Sequence, residues 1–177
     1  MMDNFREDIA VNRRPLFNNI LYAICWVLIV VFALYAAAML QVVFLSFDIF
    51  TIVTTLVSAA AAILLYVYKD NLKLEYEYTF TNGSLDFAKV LRGAKRKELG
   101  SMTVANVTAC GHVAHPSFQR FLSMKDVTKK NWFLNRDGNL FYFYYVKDNA
   151  KHMIVIEPSE EMVEMIKPYL PVGVYQG

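Results

Sequence analysis

The stretch CGHVAH supplies Cys110, His112 and His115, a thiol and two imidazoles within six residues, which are side chains that a zinc ion takes. A structural zinc site needs four ligands at paired spacings such as C-x2-C with H-x3–5-H. Here the spacing differs and an obvious fourth ligand is missing, so no metal is expected at these three residues. On a strand Cys110 and His112 share a face, while His115 falls in a turn before Pro116. A nucleophilic serine needs a base and an orienting partner. The chain has only three histidines, and no serine lies in a G-x-S-x-G setting. Neither a P-loop nor G-x-G-x-x-G occurs. The segment RDGN, Arg136 to Asn139, reads as a hairpin turn, and Glu160 with Glu161 as the start of a helix. No reaction and no cofactor is expected.

What remains is cationic chemistry. Arg92, Lys95, Arg96 and Lys97 stand within six residues with no acid among them, and such a cluster suits an anionic surface. Nucleic acid calls for a broad basic footprint, often with stacking aromatics. From Asp70 onward, however, 14 basic residues face 12 acidic ones, a charge of +2, so no nucleic acid is expected. Lys125, Lys129 and Lys130 surround Asp126 and read as a solvated loop.

The elements that must hold these residues begin with an apolar hairpin. The hydrophobic share is 56%, above the roughly 45–50% of soluble proteins. From Pro15 to Tyr68 Asp48 is the only charge, and it divides the stretch into apolar runs of 25 and 20 residues, Ile20–Phe44 and Ile49–Tyr68. A helix needs roughly 20 residues to cross about 30 Å of hydrocarbon, so each run spans. The first run continues unbroken past Ala36–Ala38, against a cleaved signal segment there. Arg6, Arg13 and Arg14 precede the spans, Lys69 and Lys73 follow them, and the link carries no cation, which places both termini in the cytoplasm. Cys25 and Cys110 are poorly placed to pair, and a reducing compartment suits them. No ionisable residue falls inside a span, so the hairpin is an anchor rather than an ion path. In an antiparallel pair Ala36–Ala38 come level with roughly Thr54–Ala59, small residues against small. The same faces permit self-association.

Residues 70–177 are enough for one compact domain. LKLEYEYTFT, Leu72–Thr81, alternates apolar and polar as a half-buried strand does. Asn82-Gly83 is the favoured pair for a two-residue hairpin loop, and the second strand starts at Ser84. That register sets Phe80 against Leu85, Tyr78 against Phe87 and Leu74 against Leu91, and one step further Arg92 against Lys73 near the membrane exit. Further strands are expected at 95–102, 104–112, 132–134, 140–146 and 152–157. In LFYFYYV both faces are apolar or aromatic, as in a strand covered on both sides. Pro158-Ser159 followed by two glutamates starts a helix, with Met162, Met165, Ile166, Tyr169 and Leu170 as one apolar stripe.

Seven short antiparallel strands followed by one amphipathic helix is the element order of a pleckstrin-homology-like (PH-like) barrel. LEYEYTFTNGSLDFAKVLRGAKRKEL and IEPSEEMVEMIKPYLP together resemble a bacterial family of small two-span membrane proteins of unknown function with a PH-like cytoplasmic domain. The resemblance implies that architecture and residence in the bacterial inner membrane, and it brings no catalytic residues. The expected organisation is an α+β membrane protein: a cytoplasmic segment 1–18, a transmembrane hairpin 19–69, and a PH-like β domain 70–177. The expected role is that of a non-enzymatic, membrane-anchored adaptor whose Arg92, Lys95, Arg96 and Lys97 contact anionic lipid headgroups. The alternative is a docking subunit of a larger membrane complex, bound to a protein partner and without a lipid-specific role.

Overall fold

The computed structural model describes residues 4–176. Within them the chain forms two compact units, residues 14–74 and residues 4–13 together with 75–176.

The first unit is the apolar hairpin. Helix α1 runs Pro15–Ser46 and helix α2 Ile49–Tyr68, followed by a 3-10 turn, Lys69–Lys73. Proline suits the first position of α1 because its missing N–H would have no helical partner there. Phe47 leaves α1 in the left-handed region (φ 47°), and Asp48 then caps α2, its Oδ2 accepting from Thr51 N at 3.1 Å. The one charge inside the apolar stretch therefore sits at the link, where helix ends need polar partners. Ser58 Oγ donates to the Phe32 carbonyl at 2.9 Å. That register brings Ala36 level with Thr54. Thr55, Ser58 and Ala62 are the buried residues of α2, a small-residue stripe that lets the backbones approach. At the open end Lys69 Nζ donates to Tyr66 O at 3.0 Å and lies 3.8 Å from the Tyr66 ring centroid, while Asn18 Nδ2 donates to Leu72 O at 3.0 Å. The outer surfaces are apolar and uncovered, Leu16 at 78% exposed, Leu45 at 87% and Ile49 at 78%. Both helices are long and apolar enough to cross a membrane.

The second unit holds two sheets. Strands β1 (Phe5–Ala10), β2 (Leu74–Thr81), β3 (Ser84–Leu91) and β4 (Lys95–Thr103) form the first, in that order. Strands β5 (Val107–His112), β6 (Val127–Trp132), β7 (Phe141–Lys147), β8 (Ala150–Ile156) and β9 (Tyr175–Gln176) form the second, in the order β6-β8-β7-β5-β9. Helix α3 spans Ser117–Leu122, and α4 spans Glu160–Ile166 with a 3-10 extension to Tyr169. Of the strands expected from sequence, 72–81, 84–91, 95–102, 140–146 and 152–157 form with end shifts of one or two residues; 104–112 opens with a 3-10 turn at Val104–Asn106 before β5, and the strand expected at 132–134 lies instead at Val127–Trp132, parallel to β8. Asn82 and Gly83 both take positive φ (46° and 91°), as a two-residue hairpin loop requires. Tyr78 and Phe87 pack edge to face at 6.3 Å.

The core between the sheets contains Tyr78, Phe80, Leu85, Phe87, Phe141 and Phe143, and α4 adds Met162, Val163 and Ile166. A second cluster lies on the other face of β7 and β8, where α3 sets Phe118 over Tyr142, Met153 and Val155. The two-faced burial expected of LFYFYYV thus has two distinct covers. Ser159 caps α4, its Oγ accepting from Met162 N at 3.2 Å.

Four local expectations need correction. The segment read as residues 1–18 contributes β1, which pairs with β2 from Phe5↔Thr81 to Ala10↔Tyr76. The pair KK in KDVTKK is strand rather than loop: Lys129 and Lys130 lie on β6, parallel to β8, and Lys130 Nζ sits 5.2 Å from the Trp132 ring centroid. RDGN is no hairpin turn, because β6 and β7 on either side of it are separated by β8. Finally, β2 starts at Leu74 and β3 ends at Leu91, so the step that would set Arg92 against Lys73 lies outside both strands.

β1 is also tied to the helix cap. Asp8 Oδ2 accepts from Ser159 N at 2.7 Å, Arg6 bonds both Asp8 and Ser159 Oγ, and Asn135 bridges Arg13 N and Val11 O. The Asp8 side chain is only 10% exposed. Asp8→Ala is expected to cost about 1–2 kcal/mol by orphaning the Ser159 amide, measured as a lower melting temperature of the full chain in detergent, with Asp8→Asn recovering part of the loss.

Candidate functional site

The basic cluster is divided by the strand geometry. Arg92 and Gly93 form the β3–β4 turn with φ of 58° and 63°, closed by Ala94 N donating to Leu91 O at 3.2 Å. Lys95, Arg96 and Lys97 open β4, where successive side chains point to opposite faces. Arg96 reaches across β3 to Glu77 on β2, Nε to Oε2 2.9 Å, and the Glu77 side chain is 16% exposed. Its charge is therefore neutralised on the outer face of the first sheet. That face carries an open cleft of about 330 Å³ where Arg96 stands among Thr79, Asp86 and Glu98.

Lys95 and Lys97 share the opposite face with a residue that the sequence cluster did not include. Lys89 is the register partner of Lys97, and Leu91 that of Lys95. Like charges directly opposite each other destabilise a ladder. Among the described residues no carboxylate pairs with Lys89, Lys95 or Lys97. The site is thus a lysine face at the end of the β3–β4 hairpin, with Arg92 at its tip. The signal for Lys89 was present in the sequence, eight residues before Lys97 on the returning strand, and it needed the second hairpin's register to be seen.

The three metal-type residues are occupied otherwise. Cys110 is fully buried and its Sγ faces the Val174 carbonyl at 4.0 Å. His112 shares its face as expected, stacking edge-on with Phe141, and its Nδ1 bonds Asn139 Oδ1 at 2.8 Å. His115 lies before α3 and its Nδ1 bonds Ser117 Oγ at 2.7 Å. Ser117 Oγ continues to Tyr142 OH at 2.9 Å, so this serine is shared by two structural partners. Among the described residues no group of three or more His, Cys, Asp or Glu side chains is placed to hold a metal ion. Burial pushes the Cys110 thiol up to about 12, and it also raises the Tyr78 and Tyr142 phenols, against the hydrogen bond that lowers the Tyr142 value.

Two apolar helices followed by two mainly antiparallel sheets with a closing helix make an α+β chain with a PH-like domain. The chain matches the family described as Bacterial PH-like domain (DUF6106) over residues 2–176, and it belongs to that family. Comparison with curated proteins and with solved structures found no match.

In a Cys25→Ser background, the folded chain is expected to react with a maleimide at pH 8 at least about a hundred-fold more slowly than the unfolded chain, because the thiolate is the reactive form. The raised Cys110 value also has a stability consequence. Between the ordinary thiol range and about 12 the folded state keeps a proton that the unfolded state has released. Stability is accordingly full below about pH 8.5 and falls as pH rises through that window. An alkaline melting series compared with Cys110→Ala measures it.

Proposed function

We propose that the chain is a non-enzymatic adaptor of the bacterial inner membrane, anchored by α1 and α2 with both termini in the cytoplasm, whose PH-like domain rests the β3–β4 hairpin on anionic lipid headgroups. The flanking cations support the orientation: Arg6, Arg13, Arg14, Lys69 and Lys73 flank the spans and the link has none. The observation that carries the lipid contact is the lysine face. Lys89 and Lys97 stand opposite each other without a carboxylate partner, and an anion between them relieves the repulsion. Each lysine near an anionic surface adds about 1 kcal/mol, so three give an attraction that is strong at low salt and screened at high salt. Arg96 adds little, since Glu77 already holds it.

Docking to a protein through the β4 edge is the weaker reading. The ladder has a bulge between Phe87 and Ala88, and its lysines stand at the open edge. Bulges and edge lysines are devices that discourage strand addition.

The test uses the full chain in nanodiscs. In anionic discs at low salt, amide exchange over residues 89–98 is expected to slow relative to neutral discs, and the slowing should vanish at high salt. The triple change Lys89→Ser, Lys95→Ser, Lys97→Ser should abolish it, while Arg96→Ser keeps most of it. Equal exchange in the two lipids would sink the headgroup contact.

A further inference from the structure

The edge of the second sheet holds a slot shaped for a short strand. β9 pairs with β5 in parallel through two residues, Cys110↔Tyr175 and Gly111↔Gln176, and Cys110 N donates to Val174 O at 3.1 Å. The fit demands glycine. A Cβ on Gly111 would run into the backbone carbonyl of Gln176. The Tyr175 ring stacks on Phe141 at 6.2 Å with an interplanar angle of 13°, and Lys167 Nζ lies 4.6 Å from its centroid on the other element. The slot therefore selects an extended segment that keeps its backbone tight against Gly111 and places an aromatic ring between Phe141 and Lys167.

The segment that fills it packs Val174 and Tyr175 only partly against the core. Val174 N donates to Pro171 O at 3.3 Å, Val172 is fully exposed, and Gly173 takes φ +80°. Pro171, Val172 and Gly173 thus form an exposed connection in front of a two-residue strand. A strand this short contributes few ladder bonds, and its release costs those bonds, the contacts of Tyr175 with Phe141 and Lys167, and the partial packing of Val174 and Tyr175 on the core.

We propose that the β5 slot is a strand-exchange site that takes the 174–176 segment of a second copy of this chain. The occupant is defined by the slot itself, because an incoming Val174-Tyr175-Gln176 remakes every contact that the resident one makes. The gain and loss of contacts cancel between the closed and exchanged forms, so the balance is set by local concentration and by the freedom of the connection. Two helices that confine each copy to a membrane raise that concentration. The exchanged pair seats a half-buried tyrosine of each copy against the other, and it leaves the lysine face untouched.

Two altered full chains test this, each inactive in pairing with itself. One lacks residues 172–177 and keeps an open slot; the other carries Gly111→Val, which blocks its slot and frees its 174–176 segment. With different affinity tags in one detergent, mixed pairs are expected to exceed either like pair by about ten-fold in co-purification. The shortened chain should also bind a synthetic peptide of residues 171–176, followed by fluorescence anisotropy, and bind it much less well with alanine at the tyrosine position. Shared far-ultraviolet circular dichroism with the unaltered chain establishes that both variants fold. If the shortened chain takes up neither the peptide nor the blocked copy, the exchange site is ruled out.

Discussion

The ladder between Phe5–Ala10 and Tyr76–Thr81 is the constraint on which the remainder rests. Between its last pair, Ala10 and Tyr76, lie both apolar helices. For a flexible connection of about 65 residues the closure entropy alone is about 4 kcal/mol. The hairpin removes most of that cost by being antiparallel: Asn18 bonds the Leu72 carbonyl, and Lys73 lies 4.5 Å from the Tyr22 ring centroid, so the two ends of the insert already lie side by side. The insert behaves as a short loop. β1 can then serve the β unit as if it were continuous with it, supplying Asp8 to the cap of α4 and the backbone of residues 11–13 to Asn135.

The distribution of charge follows from strand periodicity rather than from composition. Four cations in six residues look like one patch in sequence. On β4 they become two populations, one arginine answered by Glu77 and two lysines joined by Lys89 from the neighbouring strand. A cation cluster on a strand cannot present a single face, because the side-chain period is two. The charge available to a partner is set by which members find carboxylates on the adjacent strands.

Much of the architecture was legible in the residues, for identifiable reasons. The helix boundaries around Asp48, the Asn82-Gly83 hairpin and the Ser159 cap depend on local chemistry within three or four residues, and each formed as its sequence implied. What was missed depends on distant partners. FREDIA, Phe5–Ala10, becomes strand because β2 waits for it beyond the hairpin. The run VTKKNW becomes strand because β8 offers a parallel edge, and α3 forms because Tyr142 and Val155 need a cover. Within the candidate site the turn and the lysines of β4 were visible, whereas Lys89 and the Arg96–Glu77 pair required the register of three strands. The partners of Cys110, His112 and His115 were not legible: Val174 and Asn139 lie in connections and Ser117 opens α3, none of which strand periodicity describes.

The insertion of the hairpin between β1 and β2 also dictates an order of events during synthesis. β1 leaves the ribosome first, and its partner strand follows about 70 residues later, a wait of roughly 3–14 s at 5–20 residues per second. Both apolar helices, whose outer surfaces carry no cover among the described residues, are made during that interval. Ser159, which the Asp8 carboxylate needs, arrives later still. Completion of the β unit thereby waits on everything placed between its first two strands: until β2 is made, β1 has no partner and the first sheet has no second edge, and until Ser159 follows, the Asp8 carboxylate has no amide to accept from.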